Sequence, residues 1–135
     1  MSNCVLDTDV LIAALDRRDA HHERSAAALV AMMDSGVPLL LSTVNYAEAL
    51  VRPAADEDAL RAAMNAIAAL GIRLVPPTPP FARDAARHHG LGISLADGFA
   101  LATAQAHDAS VATFDRRVRR ALRRLDVALA PQLDA

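Results

Sequence analysis

A chain of 135 residues suits one domain that removes roughly 70% of its unfolded surface from water, and a hydrophobic share of 53% supplies the core to do so without disulfides or structural metals. The single Cys4 excludes an internal disulfide and fits a reducing compartment, while 3% aromatic residues and no Trp leave little for stacking on bases. A net charge of -2 hides a local bias: all 14 basic residues are arginine, and six of them fall between Arg116 and Arg124.

In chain order, the apolar run at Val5-Leu6 stops at Asp7, and a second run starts at Val10. This reads as a strand ending at Asp7, then a helix capped by Thr8 or Asp9. Asp19 caps a second helix over about Ala20 to Met33, closed by Asp34-Ser35-Gly36. Val37 to Leu41 reads as a buried strand, with Pro38 at its start, and Ser42-Thr43 opens a third helix carrying Val44, Ala47, Glu48 and Val51 on one face. Asp56 to Leu70 forms a fourth helix stopped by Gly71, then Ile72 to Val75 a strand. Thr78-Pro79-Pro80 opens a fifth helix ending at His88-His89-Gly90, and Ser94 a sixth through about His107. Ser110 to Phe114 is a strand, Asp115 to Leu125 a seventh helix and Asp126 to Leu129 a last short strand. Helices alternating with short buried strands predict an α/β fold: one domain over residues 1–135, with a mostly parallel sheet of about five strands covered on both faces.

Four carboxylates stand where structure alone does not need them. Asp7 and Asp115 follow strands whose carboxyl ends face the ligand crevice of an open α/β sheet. Glu48 shares a stripe with Val44 and Val51, and so should point toward the sheet. Asp97 precedes Ala100, Leu101 and Ala104 on an apolar face, although Ser94 to Asp97 also has capping-box spacing; Asp115 would equally cap its arginine-rich helix. A parallel sheet brings all four elements to one edge. Carboxylates gathered there repel unless a cation sits among them, and oxygen-only ligation selects Mg²⁺ or Mn²⁺.

Val5-Leu6-Asp7-Thr8-Asp9-Val10-Leu11-Ile12, then Asn45-Tyr46-Ala47-Glu48, then Ser94-Leu95-Ala96-Asp97-Gly98-Phe99-Ala100-Leu101-Ala102-Thr103-Ala104, then Thr113-Phe114-Asp115 resemble the successive motifs of PIN-domain ribonucleases, in particular VapC-type toxins. The match spans nearly the whole chain. The resemblance implies a PIN-like three-layer sandwich, with Asp7, Glu48, Asp97 and Asp115 as catalytic and metal-binding acids and Thr8, Asp9 and Thr113 as polar neighbours. Asp9 departs from the usual Asn or Ser, and Gly98 from the usual alanine. It further implies one or two Mg²⁺ or Mn²⁺ ions, endoribonucleolytic cleavage of structured RNA such as tRNA or rRNA, a homodimer, and a cognate antitoxin whose arginine reaches toward the acids.

Arg116, Arg117, Arg120 and Arg123, with Arg119 and Arg124, surround an apolar stripe of Val118, Ala121, Leu122 and Leu125, so the helix docks by the stripe and offers arginine to solvent, where it could track RNA phosphates. His21, His22, Glu23, His88 and His89 read as surface residues. No stretch approaches the ~20 apolar residues of a membrane span. Asp7 and Asp9 also interrupt the apolar core that a signal peptide would need, and the expectation is a soluble cytoplasmic protein with no membrane partner. Two alternatives stand beside the nuclease. A haloacid-dehalogenase-like phosphotransferase shares the Asp7-Thr8-Asp9 pattern but usually needs a lysine, which this chain lacks. The other is a catalytically silent PIN-like module that binds RNA or a partner.

Overall fold

The computed structural model describes residues 2–134. Strands β1 (Cys4–Leu6), β2 (Leu39–Ser42), β3 (Arg73–Val75) and β4 (Ser110–Ala112) form one sheet in the order β3-β2-β1-β4, every pair parallel. Helices α1 (Thr8–Leu15) and α2 (His22–Asp34) connect β1 to β2, and α3 (Thr43–Leu50) and α4 (Glu57–Ala69) connect β2 to β3. Helices α5 (Pro79–His89) and α6 (Leu95–Ala106) then carry the chain back across the sheet to β4, after which α7 (Arg116–Leu125) follows.

The period-two alternation of the strands divides the interior. Cys4, Leu6, Leu39, Leu41 and Ala112 pack on one face with Val10 and Leu11 of α1, Leu29 and Met32 of α2 and Ile67 of α4. Val5, Leu40 and Val111 face the other way, onto Ala100, Leu101 and Ala104 of α6 and Val118, Ala121 and Leu122 of α7. Both faces are therefore covered, which is why the strands are continuous apolar runs. Burial pushes the Cys4 thiol up to about 11, so it acts as a small hydrophobe. Helix α5 lies outside α6 at very close range: a Cβ on Gly98 would stand 2.6 Å from the Ala85 carbonyl oxygen. That contact accounts for glycine where the resemblance leads one to expect alanine.

Most helix starts follow their side-chain caps. Ser42, Asp56, Thr78 and Ser94 each accept a bond from an amide of the first turn. The first helix differs from expectation, because its cap is Asp7 itself, whose Oδ1 accepts from the Thr8 amide at 2.9 Å. The expected fifth strand shrinks to a single parallel bridge, Val111 to Leu129. Two bonds hold it, from Val111 N to Ala128 O and from Ala130 N to Val111 O, after which Pro131 turns the chain into a 3-10 segment over Pro131–Leu133.

The reversal of chain direction across the sheet leaves β1 flanked by the first crossover on one side and by the last strand on the other. Ligand crevices of open α/β sheets open at such a point, beyond the carboxyl ends of the strands. Here that point lies between the end of β1 at Asp7 and the end of β4 at Thr113.

Candidate active site

Beyond β1 and β4 the two chain segments are stitched together through side chains. The Asp7 amide donates to Ala112 O at 2.9 Å, and the Thr113 hydroxyl donates to Asp7 Oδ2 at 2.7 Å. Thr113 Oγ1 in turn accepts from the Asp115 amide at 3.1 Å, and Asp9 Oδ2 accepts from the Phe114 amide at 2.9 Å. Asp7, Thr8 and Thr113 are buried, and Asp9, Asp97 and Asp115 are half-buried. Both oxygens of Asp7 are thus oriented by neutral donors, and these acids take part in none of the ion pairs among the described residues, Arg18–Asp16, Arg61–Asp58 and Arg87–Asp84.

Unpaired acids at this depth show their cost in proton affinity. Burial, then the neighbouring charges of Asp9 and Asp97, hold the Asp7 carboxyl well above the usual range, against the pull of the Thr113 hydroxyl. The Asp97 carboxyl comes within hydrogen-bonding reach of Asp7, an approach two carboxylates tolerate when a proton or a cation lies between them. Asp9 is pushed up to about 6, first by burial and further by Asp115 and Asp97, while the amides of Phe114 and Val10 pull it down. The structure therefore brings Asp7, Asp9, Asp97 and Asp115 into one electrostatic group, from α1, α6 and the β4–α7 turn.

Glu48 departs from its expected orientation. It is exposed, and the buried face of α3 is formed by Asn45 and Ala49 instead of the stripe through Val44 and Val51. Val51 is 69% exposed. Asn45 reverses the pattern because it is polar yet fully buried: its Nδ2 donates to Thr8 Oγ1 at 3.1 Å and to Ala96 O at 3.2 Å, tying α3 to the first turn of α1 and to the residue before Asp97. Asp97 keeps only one half of the expected capping box, the bond from its amide to Ser94 Oγ at 3.1 Å, and its carboxyl turns toward Asp7. Asp115 does both tasks: its Oδ1 caps α7 through the amides of Arg117 and Val118, and its charge faces Asp9.

By chemistry these residues fit a hard divalent cation. The donors are oxygens, and Asp9 Oδ1 is buried without a hydrogen-bond partner, as is Asn45 Oδ1. Among the described residues, however, no three acids or histidines converge closely enough to hold an ion as they stand.

On α7, Val118, Ala121 and Leu122 are buried and Arg116, Arg117, Arg120, Arg123 and Arg124 are exposed, as the stripe predicts. Arg119 is the exception, half-buried with its guanidinium donating to Thr113 O and Leu133 O. Arg117, Arg120, Arg123 and Arg124 line an open groove of about 590 Å³ against the turn at Leu91-Gly92. His88, expected at the surface, is buried against α6 with Nε2 at 2.8 Å from Gln105 Oε1. His21 is exposed as expected, but its ring stacks on Phe114 at 4.4 Å between centroids and 18° between planes. The sequence gives no signal for that pairing, since the two residues are remote in the chain.

The fold and sequence have clear relatives. A FitAB structure bound to the IR36 DNA fragment is 30% identical, covering 93% of this chain and 92% of that one, with a TM-score of 0.67. FitAcB from Neisseria gonorrhoeae is 26% identical over 98% of this chain and 99% of that one, with a TM-score of 0.68. VapC20 from Mycobacterium tuberculosis, a sarcin–ricin loop cleaving toxin, is 20% identical over 88% of this chain and 95% of that one, with a TM-score of 0.70, a likeness that speaks for the fold. No curated protein matches the chain significantly. The family model for the PIN domain matches residues 4–123, from β1 into α7 and including every acid named above, and the chain therefore belongs to the PIN domain family, with VapC- and FitB-type toxins among its structural relatives.

Proposed function

We propose that this chain is the toxin of a toxin–antitoxin pair, a Mg²⁺- or Mn²⁺-dependent endoribonuclease that hydrolyses phosphodiester bonds of structured RNA such as tRNA or rRNA. The observation that carries this reading is the group of Asp7, Asp9, Asp97 and Asp115 at the switch point of the sheet, in which burial and the neighbouring charges raise the proton affinity of Asp7 and Asp9 and which takes part in none of the ion pairs among the described residues. Membership of the PIN family removes the dehalogenase-like alternative. The reported cleavage of the sarcin–ricin loop by VapC20 and the FitAB complexes support an RNA substrate and an antitoxin partner here.

In this reading Asp7, Asp97 and Asp115 would hold the cation, with Asp9 beside them and Glu48 as a further ligand if its exposed side chain swings in. A divalent cation bound there would supply activation of water and stabilisation of the leaving oxygen. The protein's own part is orientation. Thr113 fixes Asp7 and the Asp115 amide together, Asn45 fixes Thr8 and the start of α6, and Arg116, Arg117, Arg120 and Arg123 receive the phosphates that flank the cut. A cognate antitoxin can silence the site most directly with an arginine, since a planar guanidinium meets paired carboxylates with charge and with donors at once. A homodimer is the expected assembly of the toxin.

The test is cleavage of total cellular RNA with Mn²⁺ or with chelator, mapped at single-nucleotide resolution, for the wild type and Asp7→Asn. Discrete Mn²⁺-dependent cuts that vanish in the variant support the reading. Intact RNA in every lane would leave a silent module that binds RNA or a partner.

A further inference from the structure

Beside the acids lies a cleft of about 330 Å³ lined by Asp9, Ile12, Asp19, His21, Phe114 and Asp115. We infer that it is a nucleobase subsite, in which the base flanking the scissile phosphate stacks on His21 while Asp19 reads its amino edge. The inference rests on the nuclease reading for the identity of the occupant, and on its own geometry for the site.

Three features build it. First, Asp9 and Asp115 belong both to the acid group and to the cleft wall, so a phosphate held at the acids places its neighbouring base in the cleft. Second, the aromatic platform is fixed before any ligand arrives. Phe114 is anchored by its amide on Asp9 Oδ2, the Arg24 guanidinium lies 5.4 Å from its ring centre, and His21 stacks against it. The turn that carries His21 is locked as well: its amide donates to Asp19 Oδ1 at 2.8 Å, and His22 Nδ1 meets Ala13 O at 2.8 Å. Third, Phe114 packs against the core from below, but the outer side of the platform is open. His21 is exposed and Ile12 is 36% exposed, so an aromatic ring and an aliphatic side chain stand open at the mouth of a strongly acidic crevice. Flat apolar faces with acceptors at their edge match a base that turns its N–H donors toward them, a π-face with donors on part of its rim.

The rim sets the preference. Asp9, Asp19 and Asp115 only accept hydrogen bonds when ionised, so bases with an exocyclic amine, guanine, adenine and cytosine, fit better than uracil.

Neutral nucleosides test this without the RNA and without metal, since they lack the phosphate that the acids repel. The four nucleosides are titrated into the full chain while the ring resonances of His21 and Phe114 are followed by NMR. Guanosine, adenosine and cytidine should move both rings upfield, and uridine should bind several-fold more weakly. His21→Ala should weaken binding about tenfold, in line with loss of one stacking partner, while Asp19→Asn should level the preference among bases. The exposed position of His21 makes its variant tolerant in folding, and Ile12→Ser supplies an independent variant of the cleft lining that should weaken binding too. Rings unmoved by any nucleoside overturn the proposal, as does N-acetyltryptophanamide, a peptide mimic, moving them where nucleosides do not. If RNA is cut but the rings do not respond, the subsite falls alone. If the rings respond but RNA stays intact, the nuclease reading falls and the base site stands.

Discussion

In chelator, Asp9→Asn should be more stable than the wild type at neutral pH, and the size of the gain follows from the electrostatics of the cleft. The folded carboxyl titrates at about 6 against an ordinary 3.8, a difference of about 3 kcal/mol at about 1.4 kcal/mol per decade. The sign runs against the charged form: the cost is absent below the unfolded value, grows between the two values, and is fully present above about 6. An asparagine removes that charge and its repulsion on Asp7, and its carbonyl can keep the bond from the Phe114 amide, although a neutral acceptor is weaker by about 1 kcal/mol. The net gain at pH 7 is about 2 kcal/mol. For a domain of this size that raises the melting temperature by roughly 5–10 °C. At pH 4, where the wild-type Asp9 is largely protonated, the gap should nearly close. Saturating Mn²⁺ should reverse the order, because an ion held only by the native site adds about 2.7 kcal/mol at a hundredfold excess over its dissociation constant, and the variant must turn its amide NH₂ toward the ion to keep the Phe114 bond. Calorimetry at pH 4 and 7, with chelator and with Mn²⁺, gives four comparisons. A variant less stable than the wild type in chelator at pH 7, or a gap independent of pH, would refute the picture of a buried, repelling acid group.

Three further outcomes are expected. Asp7→Asn and Asp97→Asn should each abolish RNA cleavage while circular dichroism remains native; if Asp97 served only its helix start, the change would instead cost about 1 kcal/mol of stability with cleavage retained. Removing Arg117, Arg120 and Arg123 together should weaken RNA binding on every sequence and reduce the magnitude of the log–log salt slope by about 0.7 per lost contact on single strands; an unchanged slope would place RNA elsewhere. Gly98→Ala should lose about 1–3 kcal/mol in denaturant titrations despite alanine's better helix propensity, because the new Cβ meets the Ala85 carbonyl at 2.6 Å; a neutral or stabilising result would show that α5 shifts freely.

The layout of helices and strands was legible because it rests on local chemistry. Ser42, Asp56, Thr78 and Ser94 announce helix starts by the same bonds they make in the fold, and apolar strand runs follow from a sheet covered on both sides. The acids at strand ends, Asp7 and Asp115, were legible for the same reason, and Asp97 through the periodicity of its helix. What was hidden depends on contacts between distant segments. Asn45 lies off the stripe of Val44, Ala47, Glu48 and Val51, yet its bonds to Thr8 and Ala96 put it on the buried face of α3, and Glu48 stands outward. Asp9 looks like a helix-start residue until the Phe114 amide, from the far end of the chain, turns it inward. His88 looks polar and exposed until Gln105 receives it.

These cases share a physical pattern that also explains how the charges are distributed. A buried acid group can be satisfied by a nearby guanidinium, but such a pair would occupy the lone pairs a cation needs and be costly to break. Here the acids are oriented only by neutral groups, the hydroxyl of Thr113 and the amides of Thr8, Val10 and Phe114, with the Asn45 amide fixing Thr8. Six of the arginines are carried on α7, whose first turn is capped by Asp115, and five of them are exposed. A neutral hydrogen bond fixes direction without neutralising charge, so the carboxylates stay poised and destabilised in the metal-free chain. The groove of Arg117, Arg120, Arg123 and Arg124 lies on the same helix that Asp115 caps, so attraction for a polyanion begins within a turn or two of the acids that would act on it. In the proposed function, separation of the two signs along a single helix would give one element both tasks, holding the strand and cutting it.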